Sequence, residues 1–351
     1  MKRFLAIFIF ILGLVGCANE DQQSETPSTT TPEVFEQNQK TDSGEEKKLT
    51  PQFDPISFDM LVPSGSTAMA LAHLVATTPE LGDHVTYTVQ PYVQGSDPLV
   101  AAFTSETSQV IVAPTNLGAT LYQKELPYQL VATLVWGNLY LISNEEVKIM
   151  KKRMQGLVAG LIIGATVAGT GAFGQGSTPD IVLQTILDEK GILDSVEVEY
   201  LASVSDVQSM FAAGEIDVAV IAEPSLSVLK TKIENVNVVV DFQEQWGELY
   251  GVTSYPQASL FVHKDLIENH PEVIEPLLAQ VETSVKFANQ SPAEMAKEAI
   301  ETGLEMPEPI ITASAPNSNL MFKTAEEAKE EIELYLEKLY EFDPKTVGGA
   351  L

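Results

Sequence analysis

Phe211-Ala212-Ala213-Gly214-Glu215-Ile216-Asp217-Val218-Ala219-Val220-Ile221-Ala222-Glu223-Pro224 joins the end of one element to the whole of another. Val204 to Ala213 reads as a helix, and Val218 to Ala222 as a strand that stops at Glu223-Pro224. The same alternation extends outward in both directions. Upstream, strands are predicted at Ile56–Val62, Val85–Gln90, Gln109–Ala113, Gln129–Val135, Leu139–Ser143 and Val196–Leu201. Helices are predicted over Ala68–Thr77, Asp97–Phe103, Ala119–Lys124 and from Thr178-Pro179 to Glu189. Downstream come strands at Val236–Val240 and Gln257–Val262, then helices over Pro271–Asn289, Pro292–Glu301 and Ala325–Tyr340. Strands and helices alternating at these lengths predict an α/β fold with a mostly parallel sheet.

Three turns share one design. Ser64-Gly65-Ser66-Thr67, Thr115-Asn116-Leu117-Gly118 and Gln175-Gly176-Ser177-Thr178 each follow a strand and open a helix. Such a turn offers free backbone N–H groups, a helix dipole and small hydroxyls at the carboxyl end of a strand. In open α/β sheets ligands sit there. Capping alone explains one such turn, whereas three point to a ligand cleft. Trp136 and Trp246 suit either a core or a stacking surface, and Glu223 either a ligand acceptor or a turn.

Composition excludes several functions. The 351 residues carry a formal charge of −29, so a nucleic-acid partner is not expected. Arginine occurs only at Arg3 and Arg153, which leaves no fork to clamp a carboxylate or sulfonate bidentately. His73, His84, His263 and His270 are scattered and Cys17 is the sole cysteine, so no zinc spacing exists. Gly169 to Gly174 matches G-x-G-x-x-G, but the helix cap falls beyond it at Thr178-Pro179, and no dinucleotide cofactor is expected.

At the N-terminus, Lys2 and Arg3 precede an apolar run from Phe4 to Val15, the length of a signal-peptide core. Leu14-Val15-Gly16-Cys17 resembles a bacterial lipobox, which implies cleavage before Cys17 and a lipid on its thiol. Residues 18–52 are rich in Glu, Gln, Ser, Thr and Pro and read as a disordered acidic tether. Met154 to Pro179 carries no charge, with small residues at Gly156, Gly160, Gly164, Ala168 and Ala172. Alone this suggests a membrane helix over 154–174. The abundance of Gly and scarcity of Leu favour instead a buried strand with a Gly-rich insertion.

The segment Phe211–Pro224 resembles the "aGeiDvavl.EP" stretch of ABC-importer substrate-binding proteins of the nitrate/sulfonate/taurine and thiamine-precursor type. Pro63–Thr67, Pro114–Gly118, Gly174–Asp180 and Tyr255-Pro256-Gln257-Ala258-Ser259-Leu260 fall where that family places matching segments. The run from Met150 to Gly171 departs from the family's short lysine-containing lead. The resemblance implies a type II periplasmic-binding-protein fold of two Rossmann-like lobes with two hinge crossovers. Lobe one would hold 53–143 plus 254–351, and lobe two 144–253. Implied ligand contacts are Ser64, Gly65, Ser66, Thr67, Thr115, Asn116, Trp136, Asn138, Gln175, Gly176, Ser177, Thr178 and Glu223.

The expectation is a lipid-anchored, monomeric solute-binding protein on the extracytoplasmic face, serving an ABC permease, without cofactor, metal or chemistry. Its ligand is expected to be small and oxyanionic or heteroaromatic, with a thiamine-pyrimidine-like ring slightly favoured for stacking on Trp136. Two rivals remain: a membrane-spanning sensor or adhesion protein, and a thiamine-pyrimidine synthase-like enzyme. The second lacks the cysteine-rich motif such enzymes need.

Overall fold

The computed structural model describes residues 54–144, 161–166, 178–201 and 204–351. Cys17, the tether, the Gly169–Gly174 motif and Gln175, Gly176 and Ser177 lie outside them.

The alternating pattern folds into two sheets. The first contains β1 (Ile56–Pro63), β2 (Val85–Val93), β3 (Val110–Pro114), β4 (Tyr128–Trp136), β10 (Pro256–His263) and β11 (Leu320–Thr324), in the order β11-β4-β10-β3-β1-β2. The second contains β5 (Leu139–Ser143), β6 (Leu161–Thr166), β7 (Val196–Leu201), β8 (Val218–Ala222) and β9 (Asn237–Asp241), in the order β7-β6-β8-β5-β9. β1 pairs in parallel with β2 and β3, and β6 in parallel with β7 and β8. In each sheet the next strand runs antiparallel, β10 beside β3 and β5 beside β8. Those two strands are the ones that enter each sheet from the other.

Period-two alternation sets both faces. β1 sends Phe58, Met60 and Val62 to a core shared with α1 (Ser66–Thr77), α9 (Pro271–Gln290) and α10 (Pro292–Glu301). Leu61 faces the other way, toward Leu99 and Phe103 of α2 (Asp97–Ser105) and Leu121 of α3 (Thr115–Tyr122). In the second sheet Val218 and Val220 face α4 (Thr178–Glu189) and α7 (Phe242–Tyr250). Ala219 and Ile221 face α5 (Val204–Ala213) and α6 (Ser225–Lys232). The remaining helices are α8 (Lys264–Asn269), α11 (Glu308–Ser314) and α12 (Lys329–Phe342).

Three expectations change. Leu139–Ser143, assigned from sequence to the first lobe, bonds to β8 and β9 and belongs to the second sheet. Strand pairing is non-local, and the crossing therefore falls at Gly137-Asn138. The C-terminal stretch does not stay with the first sheet either: Tyr335, Leu339 and Val347 join the second sheet's core. Thr115 to Gly118 is no turn but the opening of α3. In keeping with the strand favoured for this run, Leu161–Thr166 is β6, which excludes a continuous membrane helix over 154–174. No helix among the described residues is long and apolar enough to cross a membrane.

Candidate functional site

Each sheet changes connection direction between its first and third parallel strands. In the first sheet this point lies between β1 and β3, and in the second between β6 and β8. At such a point the loops diverge and leave a crevice beyond the strands' carboxyl ends. The helices that follow these four strands among the described residues start at Ser66, Thr115, Thr178 and Ser225. Two helix starts from each sheet thus define the candidate site.

The two sheets touch here through side chains. Asn138 Nδ2 donates to Ser66 Oγ at 2.9 Å, and Ser66 Oγ donates to the Glu223 carbonyl at 3.3 Å. The Glu223 amide donates back to the Asn138 carbonyl at 3.2 Å. A second bridge runs from Thr178 Oγ1 to Asn116 Oδ1 at 3.3 Å and to the Tyr335 hydroxyl at 2.9 Å. Gly65, at φ 91°, supplies the left-handed turn that places Ser66. Ser64 is tied by its amide to Val93 O at 3.0 Å.

Not every residue chosen from sequence faces the crevice. Thr67 Oγ1 donates to Pro63 O at 2.8 Å and is spent closing its own turn. Thr115 is buried in a hydroxyl row with Ser259 at 2.8 Å, which continues to Thr133 at 3.0 Å. That row crosses the sheet interior, so Thr115 is not a free ligand donor. Trp136 is 1% exposed, donates from Nε1 to Met321 O at 2.8 Å, and carries Lys323 Nζ at 4.9 Å from its ring centroid. It anchors the end of β4 and offers no open stacking platform. Trp246 is fully buried against Tyr250, Tyr255 and Tyr335.

Glu223 is 3% exposed. Its carboxylate accepts from the Ser227 amide and from Ser227 Oγ, each at 3.0 Å, and so caps α6. Burial pushes its carboxyl above the usual range, opposed by those bonds, Lys230 and Asn317. Burial also pushes up the Tyr335 hydroxyl, against the Thr178 bond.

Sequence reading missed Tyr335, Ser227, Gln257, Asn317 and Asn319 as members of this site. Gln257 Oε1 accepts from the Asn138 amide at 3.2 Å, and Asn319 Nδ2 donates to the Gly137 carbonyl at 2.6 Å. Tyr335 was legible only as one of the apolar residues at helical spacing on α12. The Asn317-Ser318-Asn319 run carried a turn signal whose partners are distant in sequence.

All four histidines face glutamates: His73 with Glu298 at 3.0 Å, His263 with Glu106 at 3.3 Å, and His84 and His270 with Glu272 at 3.6 and 3.7 Å. No cluster of three or more metal-ligating side chains occurs among the described residues.

Two sheets of one plan, each receiving an antiparallel strand from the other, define the type II periplasmic-binding-protein fold. Residues 162–295 match the family model described as NMT1/THI5 like. The chain resembles an ABC transporter from Parabacteroides distasonis at 20% identity and a TM-score of 0.69, over 85% of this chain and 96% of that one. It resembles the periplasmic aliphatic sulphonate binding protein SsuA from Escherichia coli at 15% identity and 0.59, over 85% and 91%. It also resembles a putative nitrate transport protein from Thermoplasma volcanium at 12% and 0.50, over 82% and 94%. No curated protein matches the chain.

Proposed function

We propose that the chain is the solute-binding component of an ABC importer. The supporting observation is the pair of switch points held face to face by Asn138, Ser66, Glu223, Asn116 and Thr178. The two sheets act as lobes that close on a small solute, and closure presents the complex to a membrane permease. No covalent step is involved. The likeness to a periplasmic sulphonate binding protein and to a putative nitrate transport protein agrees with this reading. Oxyanionic and heteroaromatic solutes both suit helix starts lined by hydroxyls and amides.

The test is a thermal-shift series on the full-length chain with nitrate, alkanesulfonates, taurine, thiamine, its hydroxymethylpyrimidine precursor and riboflavin. A ligand that binds only the folded state adds about 2.7 kcal/mol at about 100 times its Kd. One class is expected to raise the midpoint with concentration. Cooperative melting without a shift from any of them would remove the reading.

The lipid at Cys17 and the tether over 18–52 belong to the same proposal, which places the domain at the outer face of the membrane. The lipobox-like Leu14-Val15-Gly16-Cys17 supports it. Cys17→Ala is expected to move the protein from the membrane fraction to the soluble fraction. Retention in the membrane fraction would refute a lipid anchor.

A further inference from the structure

The carboxyl of Glu223 lies on the seam between the two sheets, and its own side of the seam supplies most of its company. The Ser227 amide and Ser227 Oγ each donate to it at 3.0 Å, and Lys230 is the cation that faces it. The Tyr140 hydroxyl also faces it. These residues belong to α6 and to β5 of the second sheet.

The first sheet's side closes over it. Ser66 Oγ donates to the Glu223 carbonyl at 3.3 Å, and the Asn317 side chain donates to the carboxylate. The Tyr140 hydroxyl donates to the Asn317 carbonyl at 2.8 Å, and α11 packs on α6. With this cover in place Glu223 is 3% exposed. Among the described residues the cover brings the carboxyl one neutral donor and no cation. A carboxylate is far costlier to bury than a carboxylic acid unless a cation comes with it. Closing the seam therefore favours the protonated form. Opening it returns water, leaves Ser227 and Lys230 in place, and favours the ionised form.

We propose that Glu223 is a pH-sensitive latch between the lobes: protonation of its carboxyl favours the closed arrangement, and ionisation favours opening. The inference rests on the reading above of two lobes that close on a solute. Burial holds the carboxyl above its ordinary value in the closed arrangement. The latch's contribution to closure is thus fully present below the open-state value and is lost as pH rises through the closed-state value.

The experiment follows lobe separation without a solute, by double electron–electron resonance between two spin labels on the full-length chain. Cys17→Ala removes the sole natural thiol, and Thr231→Cys on α6 and Ala313→Cys on α11 put labels at exposed positions of two helices that meet across the seam. As pH rises from below 4.5 to neutral, the short-distance population should fall and a longer one grow. Glu223→Gln cannot ionise, so in that variant the short distance should persist at every pH. Asn317→Lys, a change at an exposed position, brings a cation to the carboxyl and should keep the short distance at neutral pH.

Distances that do not change with pH, or that lengthen alike in the labelled parent and in Glu223→Gln, would overturn the inference. If Glu223→Gln does not fold, Asn317→Lys decides: lengthening as large as the parent's would overturn it. Solute binding in the thermal-shift series would stand in each of these cases. A chain that binds none of those probes and shows one fixed distance would lose both the solute-binding reading and the latch.

Discussion

Glu223 shows how one carboxyl can serve structure at a cost set by pH. Its oxygens cap α6 through Ser227, yet burial raises its proton affinity above the ordinary value of 4.5. A raised folded-state value means that the associated stability is fully present below the unfolded value. It is lost as pH rises through the folded value. Glu223→Gln keeps an acceptor for Ser227 and cannot ionise. Relative to wild type, the variant should gain stability as pH rises above the ordinary value of 4.5, and gain none below it. Thermal midpoints of the two proteins on both sides of that value provide the check. A difference that stays constant with pH would show that Glu223 ionisation does not oppose folding.

Local pattern made many elements legible. Val196–Leu201, Val204–Ala213, Val218–Ala222 and Pro292–Glu301 occur with the bounds read from sequence. Their apolar periodicity and turn residues agree with the fold around them. Elements whose reason lies elsewhere in the chain were misread or missed. Gly118 made the start of α3 look like a turn, because glycine weakens a helix. The glycine is required by tertiary contact: a Cβ there would stand 2.0 Å from the Phe261 ring. β11 is a short edge strand defined by its pairing with β4. α7 was signalled by Asp241, whose side chain accepts from the Gln243 and Glu244 amides, but that cap hid behind the strand preceding it. The site divides the same way. Ser66, Thr178 and Glu223 were visible as residues that open helices or end strands. The inward turn of Thr115 toward Ser259 depends on a strand 144 residues further along the chain.

At the scale of the whole molecule, the two passages between sheets are bonded to each other. The Gly137 amide donates to Tyr255 O at 2.9 Å and lies 3.2 Å from Ser254 Oγ. A third link comes from α12, which follows β11 of the first sheet and packs Tyr335 into the core of the second. Tyr255 stacks on Tyr335 at 5.9 Å and meets Trp246 at 5.4 Å, and all three are fully buried. The ring of Tyr255 therefore cannot retreat, and it lies directly over Gly137: a Cβ there would stand 2.4 Å from it. Gly137→Ala must push the first passage away from the second. Overpacking of this kind costs about 1–3 kcal/mol. Because Asn138 is the next residue, the same displacement should loosen its bond to Ser66 and weaken solute binding. Denaturant unfolding of a double-mutant cycle with Tyr255→Ala isolates the cause. If the ring is what the methyl group meets, Gly137→Ala should cost little in the Tyr255→Ala background. An equal cost in both backgrounds would place the constraint in the backbone of the passage itself.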